Sequence, residues 1–316
     1  MKRNRIVNEF FPTLLIKRRQ MLLIFKYYRP YKTKTQRNNC IIFMADGHFG
    51  SNGLFDRLKG IVTLYALSKA TGKDFKIFFT SPFNLKDFLV PNLYDWTIES
   101  PYYHFPASIP EIVNSKNLFY ARNNERHCYC MTDALDLINK RYSKSFSFKS
   151  LYKELFKPSE YLEKIIRERE CPSKSYIAIH VRIVNLLGEN IEKAAGFEAL
   201  SQPDQSKLIN NLMMKINEII KKHEGLDTYL FTDSNKFSKF AQLSNEKIKI
   251  VQGNIAHIGN HDKVSLESVS KLFLDYHYIS KAIKVYSIIG NGLYPSAFPL
   301  YAAKIGDVPF IRIAMS

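Results

Sequence analysis

The sequence predicts an α/β protein with two Rossmann-type, doubly wound domains that face a cleft, preceded by a basic N-terminal extension. Its 316 residues leave room for two domains of roughly 150 residues each. Residues 40–80 have the pattern of one β-loop-α-β unit, and from Ser175 onward strand-like apolar runs alternate with helical patterns. Such alternation is typical of parallel sheets whose strands are joined by right-handed helical crossovers.

The first β-loop-α-β unit opens with an apolar run, Cys40–Ala45, that predicts a buried strand. A glycine-bearing loop follows from Asp46 to Gly53. The segment from Leu54 to about Ala70 predicts a helix, because four apolar residues recur on one face at helical spacing: Leu54, Leu58, Ile61 and Tyr65. Gly72 ends this helix, and Phe75–Thr80 is the next strand.

Regular alternation returns only after residue 175. Residues 81–165 are aromatic and interrupted by prolines, and apart from helical character near 151–167 they predict no topology. Beyond them, the predicted strands are Tyr176–Val184, Thr228–Thr232, Ile248–Val251, Ile283–Ile289 and Pro309–Ala314. The predicted helices are Asp204–His223, Lys236–Leu243, Ser265–Ala282 and Tyr294–Lys304. A doubly wound domain of this kind binds nucleotides at its switch point.

The formal net charge of +17 is concentrated in residues 1–37, which carry eleven basic residues against Glu9, a net +10. Apolar and aromatic residues are interleaved with these charges, but the longest apolar run falls far short of the roughly 20 residues that span a bilayer. The segment also lacks the pattern of a secretory signal. It is typical of a helix in the interface of an anionic membrane, with a solvated or docked extension as the alternative.

The four cysteines, Cys40, Cys128, Cys130 and Cys171, have no disulfide or zinc spacing. His127 lies beside the Cys128 and Cys130 pair, but no second cluster completes a tetrahedral site. We therefore expect reduced thiols in a cytoplasmic protein. The sequence also contains no Asp-x-Asp, so it does not indicate a metal-bridged diphosphate site.

Candidate ligand-binding residues follow the predicted strands, where ligands of α/β sheets bind. In HVRIVNLLGEN, residues 180–190, Arg182 offers a planar cationic fork suited to a diphosphate. Asp233 and Ser234 follow a later strand and could bind a ribose or cap a helix. The loop containing Asn52 and Gly53 permits close backbone approach of an anion, with a plain helix cap as the alternative.

Two further candidates lie near the C-terminus. Asp275 stands among apolar residues of a predicted helix, and a buried carboxylate needs a partner such as the N–H edge of guanine or a structural arginine. Ser296 and Ala297 open a helix whose amides could hold phosphate.

Taken together, these segments resemble the fucosyltransferase-type glycosyltransferases: the nodulation, α1,2-, α1,6- and protein O-fucosyltransferases. HVR at 180–182 is similar to the family's H-x-R strand end, LDYHYIS at 274–280 to its L-D-x-H-F-L-S segment, and YPSAFPLYAAKIG at 294–306 to its last motif. GSNGLFDRLKG at 50–60 resembles the N-terminal glycine loop and helix. The resemblance covers about residues 40–80 and 175–316.

The resemblance implies a GT-B fold with an acceptor-side domain at 38–165 and a GDP-binding domain at 166–316. It implies donor contacts from the following residues: Asn52, Gly53, Arg182, Asp275, Ser296, Ala297 and Phe298. Their positions after predicted strands add His180, Asp233 and Ser234 to the candidate donor-binding residues. Fucose or a related sugar would pass from its GDP-sugar to a glycan hydroxyl with inversion, without a metal or other cofactor. The catalytic group is expected to include Arg182, Asp46 and Glu189, with His48 and Asp56 as further candidates for the base.

The expected acceptor is an oligosaccharide of a surface polysaccharide or a lipid-linked glycan. Residues 1–37 would hold the enzyme peripherally on the inner face of a membrane. We expect no nucleic acid partner, although the high positive charge leaves a basic nucleic-acid-binding protein as one alternative. A catalytically inactive GT-B domain that binds a nucleotide or glycan is the other.

Overall fold

The computed structural model describes residues 2–30, 39–49, 53–101, 103–120, 125–169, 175–189, 198–253 and 264–315, with side chains from residue 14 onward. The chain forms two compact units. The N-terminal unit comprises Met1–Leu85 and Pro91–Lys157, and the C-terminal unit comprises Lys86–Val90 and Pro158–Ser316. Both contain a parallel sheet with helices, so the α/β class predicted from the sequence is confirmed.

The N-terminal unit is organised around a four-stranded parallel sheet. Its helices and strands are α1 (Lys2–Tyr27), β1 (Arg29–Pro30), β2 (Cys40–Ala45), α2 (Leu54–Thr71), β3 (Asp74–Phe79), β5 (His104–Phe105), β6 (Ser108–Val113), β7 (Glu125–Cys130), α3 (Leu135–Tyr142) and α4 (Phe148–Leu155). A 3₁₀ helix (Leu85–Asp87), β4 (Leu89–Pro91) and β8 (Phe156–Pro158) lie where the chain passes from one unit to the other. The predicted β-loop-α-β unit is β2-α2-β3, and its helix ends at Gly72 in the left-handed conformation.

The strands of this sheet follow the order β3-β2-β7-β6, with β2 in the interior, and every residue of β2 is buried. Strand β3 pairs with one side of β2 and strand β7 with the other, and β6 extends the sheet beyond β7. The chain therefore reverses its winding direction between β2 and β7. Residues 81–165, for which the sequence predicted no topology, supply the two strands that complete the sheet.

Helix α1 packs one of its faces against the N-terminal unit. Leu23 is buried in a cluster with Cys40, Ile42 and Met44, and Ile16 packs against the same cluster. The side-chain amide of Gln20 donates a hydrogen bond to the Pro110 carbonyl at 2.6 Å. The described part of the N-terminal extension is thus a docked helix. Within the described residues, no helix is both long enough and apolar enough to cross a membrane.

Close contact between α2 and the end of β7 leads to a stability prediction for Gly60. A Cβ atom at Gly60 would lie 1.9 Å from the carbonyl oxygen of Cys130, and a backbone carbonyl cannot rotate away as a side chain can. Overpacking a core usually costs about 1–3 kcal/mol, so we expect Gly60→Ala to lower the free energy of unfolding by about 3 kcal/mol or more.

Thermal unfolding followed by circular dichroism checks this expectation. Gly53→Ala is the matched control, because its φ of −59° suits alanine and its Cβ would meet no described atom within 4 Å. A melting temperature of Gly60→Ala equal to that of the control would contradict the close approach of α2 to β7.

The C-terminal unit contains a five-stranded parallel sheet. Its helices and strands are α5 (Glu160–Glu168), β9 (Tyr176–Val181), α6 (Gln202–Lys221), β10 (Asp227–Thr232), α7 (Asn235–Ser244), β11 (Ile248–Lys249), α8 (Leu266–Lys281), β12 (Lys284–Ile289), α9 (Phe298–Gly306) and β13 (Phe310–Ala314). The strands follow the order β11-β10-β9-β12-β13, and the alternation predicted from residue 175 is confirmed. Because β10 and β12 flank β9, the switch point of this sheet lies between β9 and β12.

Two predicted boundaries of the C-terminal unit differ from the structure by three residues or more. Strand β9 ends at Val181 rather than Val184, because the amides of Ile183 and Val184 bond to Asp233 and Val184 takes a φ of +58°. Helix α9 begins at Phe298 rather than Tyr294. Pro295 disfavours the helical conformation for the residue before it, which keeps Tyr294 outside the helix.

Candidate functional site

The C-terminal edge of the five-stranded sheet brings together side chains that are far apart in the sequence. His180 and Arg182 lie at the end of β9, Asp233 follows β10, and the segment from Tyr294 to Phe298 leads from β12 into α9. The backbone amide of Tyr294 donates to the Arg182 carbonyl at 3.1 Å, which ties this segment to the end of β9. These residues therefore lie at the switch point, where α/β sheets bind ligands.

The guanidinium of Arg182 is held from two directions. Its Nε lies 3.8 Å from Oδ2 of Asp233, and its Cζ lies 4.7 Å from the centre of the Tyr294 ring. The Arg182 side chain is 20% exposed. A cation stacked on an aromatic face and lying near a carboxylate is restrained in orientation but remains charged and within reach of solvent. Such an arginine can receive an anionic ligand with little loss of side-chain freedom.

Asp233 organises the loop that follows Arg182. Its Oδ1 accepts the amide of Ile183 at 2.7 Å, and its Oδ2 accepts the amide of Val184 at 2.9 Å. Burial raises the pKa of Asp233 above its usual value, opposed by these two amides and by the charge of Arg182. Asp233 was predicted to bind a ribose, but both of its carboxylate oxygens hold the loop that follows β9.

His180 is buried and lies with its ring stacked on Phe298, with 5.9 Å between the ring centres. Burial lowers the pKa of His180 to about 3, and the nearby positive charge of Arg182 acts in the same direction. His180 is therefore neutral near pH 7. Its contribution to an anion site would be shape and hydrogen bonding, while Arg182 supplies the charge.

The predicted phosphate-binding helix N-terminus is that of α9. Ser296 is buried, and its hydroxyl accepts the amide of Phe298 at 3.2 Å. Ala297 occupies the N-cap position and its side chain makes no capping bond. Pro299 contributes no N–H in the first turn, so the N-terminus of α9 offers fewer backbone N–H groups to an anion than that of an ordinary helix.

Ser234 and Glu189 meet at the N-terminus of α7. The Ser234 hydroxyl caps the helix by accepting the Phe237 amide at 3.0 Å and donates a short hydrogen bond to Glu189. Glu189 also accepts the amide of Lys236 at 3.0 Å. These contacts match the helix-cap alternative for Ser234. The Glu189 carboxylate is bound at the same end of the helix.

A cavity of about 450 Å³ lies in the C-terminal unit beside the end of β10. Its lining includes Thr232, which directly precedes Asp233, residues of α7 such as Asn235, and the segment from Ile250 to Gly253. Ligand pockets for small molecules typically measure about 300–1,000 Å³. The cavity is therefore large enough for part of a nucleotide.

Lys271 of α8 lines this cavity and pairs with Asp275 one helical turn later. Both side chains are largely buried. Burial raises the pKa of Asp275, and the ammonium group of Lys271 opposes that shift. The partner that the sequence required for Asp275 is thus a lysine of the same helix rather than an arginine.

Lys271 and Tyr294 were not identified from the sequence. The four-residue spacing of Lys271 and Asp275 was a usable signal, because residues at i and i+4 lie on one helix face. No comparable signal marks Tyr294, whose contact with Arg182 depends on the path of the chain after β12.

In the N-terminal unit, Asp46 follows β2 at the switch point between β2 and β7. Its Oδ2 accepts hydrogen bonds from Nδ1 of His48 at 2.9 Å, from the Tyr103 hydroxyl at 3.0 Å and from the Tyr129 hydroxyl at 3.1 Å. Its Oδ1 accepts the amide of His48 at 3.0 Å. The Asp46 side chain is only 2% exposed, whereas that of His48 is 28% exposed.

The ring of His48 is held in a fixed orientation. Tyr27 stacks on it with 3.8 Å between ring centres, and Tyr103 contacts it edge-on at 5.5 Å. Because Asp46 binds Nδ1, that nitrogen carries the proton in the neutral ring and Nε2 keeps its lone pair. A carboxylate that orients an imidazole in this way is the arrangement of a general base.

The other candidate residues of the N-terminal unit make fewer contacts than Asp46 and His48. Gly53 is the N-cap of α2 with a φ of −59°, a conformation that does not require glycine. Asp56 forms an ion pair with Lys59 at 2.5 Å. Asn52 lies outside the described residues.

The three described cysteines, Cys40, Cys128 and Cys130, are buried and unbridged. Burial raises the pKa of Cys130 to about 12 and raises that of Cys128 further, so both are neutral thiols near pH 7. Cys171 lies outside the described residues. Metal independence stays a prediction from the sequence.

Comparison with known proteins gives one kind of match. No protein-family model and no curated protein sequence matches the chain. Among solved structures, NodZ α-1,6-fucosyltransferase soaked with GDP-fucose is similar, with a TM-score of 0.54 and 15% identity over 88% of this chain and 95% of that one. NodZ co-crystallised with GDP has a TM-score of 0.53 and 14% identity over 89% and 96% of the two chains.

A selenomethionine form of NodZ from Bradyrhizobium has a TM-score of 0.51 and 14% identity over 89% of this chain and 95% of that one. At such low identity, the shared feature is the fold. The resemblance noted in the sequence and the architecture of the two parallel-sheet units thus agree. The chain has the GT-B-like fold of the NodZ fucosyltransferases.

Proposed function

We propose that this protein is a glycosyltransferase that moves fucose, or a related sugar, from a GDP-sugar to a hydroxyl of a glycan acceptor. The observation that carries the proposal is the position of Arg182, restrained by Asp233 and Tyr294 at the switch point of the C-terminal sheet. The cavity of about 450 Å³ beside the end of β10 and the fold shared with NodZ, which was solved with GDP-fucose and with GDP, support it.

In this proposal, the C-terminal unit binds the donor. Arg182 and the amide end of α9 receive the diphosphate, and the nucleoside enters the cavity lined by Lys271. A carboxylate can accept two hydrogen bonds side by side from N1–H and N2–H of guanine, whereas adenine offers no such pair of donors. Asp275, held by Lys271, would therefore select guanine, and Lys271 would pair with the O6 acceptor of the base.

The transfer step is a single displacement. The acceptor oxygen attacks the anomeric carbon, the bond from that carbon to the diphosphate oxygen breaks, and GDP leaves from the opposite face, which inverts the configuration. Negative charge grows on the diphosphate as the bond breaks, and Arg182 is placed to stabilise it without a metal. The proton of the acceptor hydroxyl passes to a base of the protein.

We assign that base to Nε2 of His48, with Asp46 as its positioning residue. Asp46 receives hydrogen bonds from His48, Tyr103 and Tyr129 and is nearly excluded from solvent, so it holds the imidazole rather than accepting the proton itself. Glu189 is engaged at the N-terminus of α7, and Asp56 is paired with Lys59. Both of these carboxylates are engaged with other groups, whereas Nε2 of His48 keeps its lone pair in a ring of fixed orientation.

The acceptor class follows from the resemblance and from the charge of the N-terminal segment. We propose an oligosaccharide of a surface polysaccharide or a lipid-linked glycan, modified in the cytoplasm at the inner face of a membrane. Transfer assays with GDP-fucose and lipid-linked oligosaccharides would test this assignment. Transfer to protein acceptors alone would contradict it.

Selective binding of GDP is the first expected result. Thermal shift and calorimetry with GDP, UDP, ADP and CMP should show stabilisation by GDP, by about 2.7 kcal/mol at a hundredfold excess over the dissociation constant. Asp275→Asn should reduce the preference for GDP over ADP, because its amide cannot accept two hydrogen bonds in the same way. Arg312→Ala is a control, since Arg312 is an exposed arginine over the Phe310 ring in the same sheet.

Other outcomes separate the alternatives. Stabilisation by RNA or DNA without any response to nucleotides would favour a basic nucleic-acid-binding protein. GDP binding without turnover of GDP-fucose, in the presence of an acceptor panel, would favour an inactive binding domain.

A further inference from the structure

The outer face of helix α1 exposes a row of large apolar side chains. Leu14, Met21, Leu22 and Phe25 are 52%, 55%, 57% and 69% exposed. Their spacing of i, i+7, i+8 and i+11 places them on one side of the helix. Large apolar side chains gathered on one exposed side of a helix mark an interaction site more often than scattered single residues do.

The opposite face of α1 fixes the direction in which this row points. Leu23 is buried, Ile16 and Tyr27 pack against the same cluster, and Gln20 bonds to the Pro110 carbonyl. The exposed row is therefore not the core-facing side of a displaced helix. It remains outward while α1 is docked on the N-terminal unit.

Basic residues surround the apolar row. Lys17, Arg18 and Lys26 are exposed on α1 and lie on or beside the same face, and Arg29 follows at the end of the helix. No acidic residue occurs between Glu9 and Asp46, whereas that stretch contains eight lysines and arginines. The partner of this face must therefore offer both apolar contact and negative charge.

An anionic lipid surface offers both. Apolar side chains enter the boundary between headgroups and acyl chains, while lysines and arginines bind the phosphates around them. A second copy of this face would bring like charges together. A nucleic acid would satisfy the basic residues and leave the apolar row in water.

We propose that α1 docks the protein on an anionic membrane surface through Leu14, Met21, Leu22 and Phe25, with Lys17, Arg18, Lys26 and Arg29 on the lipid phosphates. The proposal specifies a docked helix that is held in place by the N-terminal unit and lies along the membrane. It does not depend on the proposed transferase activity. A failure of GDP binding would therefore leave it intact.

Co-sedimentation of the full chain with lipid vesicles tests the proposal. We expect roughly tenfold or tighter binding to vesicles of phosphatidylglycerol and phosphatidylcholine in equal amounts than to phosphatidylcholine alone, and weaker binding at high salt. The variant with Met21→Gln, Leu22→Gln and Phe25→Gln keeps every charge and should lose about tenfold or more of that binding. The charge variant with Arg18→Glu and Lys26→Glu should lose binding while keeping the apolar row.

Leu93→Gln and Leu243→Gln are the matched controls, since these leucines are 79% and 90% exposed elsewhere on the protein. Both should bind vesicles like the wild type, and equal melting temperatures would show that the variants fold. Equal binding of the wild type to both vesicle types, or unchanged binding by the triple variant, would overturn the proposal. So would a dimer or an RNA complex that the triple variant abolishes in the absence of vesicle binding.

Discussion

Arg182→Ala is expected to reduce the transfer rate from GDP-fucose on the order of 10²–10³-fold. The guanidinium is restrained at the switch point by Asp233 and Tyr294, so it meets the leaving diphosphate without first having to be ordered. Removing it leaves the growing negative charge without its cation. Hydrogen bonds to charged groups contribute about 1.5–3 kcal/mol, so the dissociation constant for GDP should also rise about 10- to 100-fold.

The measurements are GDP release from GDP-fucose and calorimetric binding of GDP. Arg182→Lys separates charge from geometry, because lysine keeps the charge but lacks the planar fork and stacks less well on Tyr294. We expect this variant to fall between wild type and alanine. Arg312→Ala should behave as wild type. An Arg182→Ala protein with wild-type binding and turnover would remove Arg182 from the donor site.

His48→Gln is expected to reduce turnover by about 10²–10⁴-fold, the usual contribution of a general base. Binding of GDP should not change, because His48 belongs to the N-terminal unit and the proposed donor site belongs to the other. Asp46→Asn should lower turnover as well, since an amide cannot hold the imidazole in the same tautomer as the carboxylate does. Turnover is measured as GDP release with the acceptor that the wild type uses best, or with water.

A base and a merely structural histidine respond differently to added imidazole. His48→Ala should regain part of its turnover in imidazole buffer, which a packing defect would not do. His223→Gln is the control, because His223 bonds to the Tyr286 hydroxyl at 2.7 Å outside the proposed site. Turnover of His48→Gln at the wild-type rate, with GDP binding intact, would exclude the base assignment while leaving the donor site in place.

The C-terminal unit shows how much of a fold can be predicted from the spacing of apolar residues alone. Most strands there are short and rich in apolar residues, and the helices between them carry apolar residues at helical spacing, so the alternation from β9 to β13 could be predicted. Boundaries were less predictable at the site. The end of β9 depends on Asp233, a residue about fifty positions later whose oxygens accept the Ile183 and Val184 amides.

Strand β7 shows why the N-terminal unit was harder to predict. Its first three residues, Glu125, Arg126 and His127, are polar yet buried. They are tolerated because partners from distant segments satisfy them: Arg126 bonds to Glu111 at 2.6 Å, and His127 bonds to the Tyr28 hydroxyl at 3.0 Å. A pattern of hydrophobicity cannot reveal a strand whose burial depends on such pairs.

The candidate site likewise has features that the sequence predicts and features that it does not. That His180, Arg182, Asp233 and Ser296 follow strands or open helices could be predicted, since their neighbours in the sequence define those elements. The hydrogen bonds of Asp46, Asp233 and Glu189 could not be predicted, because each carboxylate accepts them from donors in other parts of the chain. Asp275 is the intermediate case, with its partner one helical turn away.

Residues close together along the chain set the helices and strands, their alternation in the C-terminal half and the basic, apolar character of the N-terminal segment. The tertiary fold sets which polar groups are satisfied internally and which face outward. It stacked Tyr294 on Arg182 and Tyr27 on His48, and it turned one face of α1 towards the core. Long-range packing sets these contacts, and the spacing of residues in a single sequence does not record it.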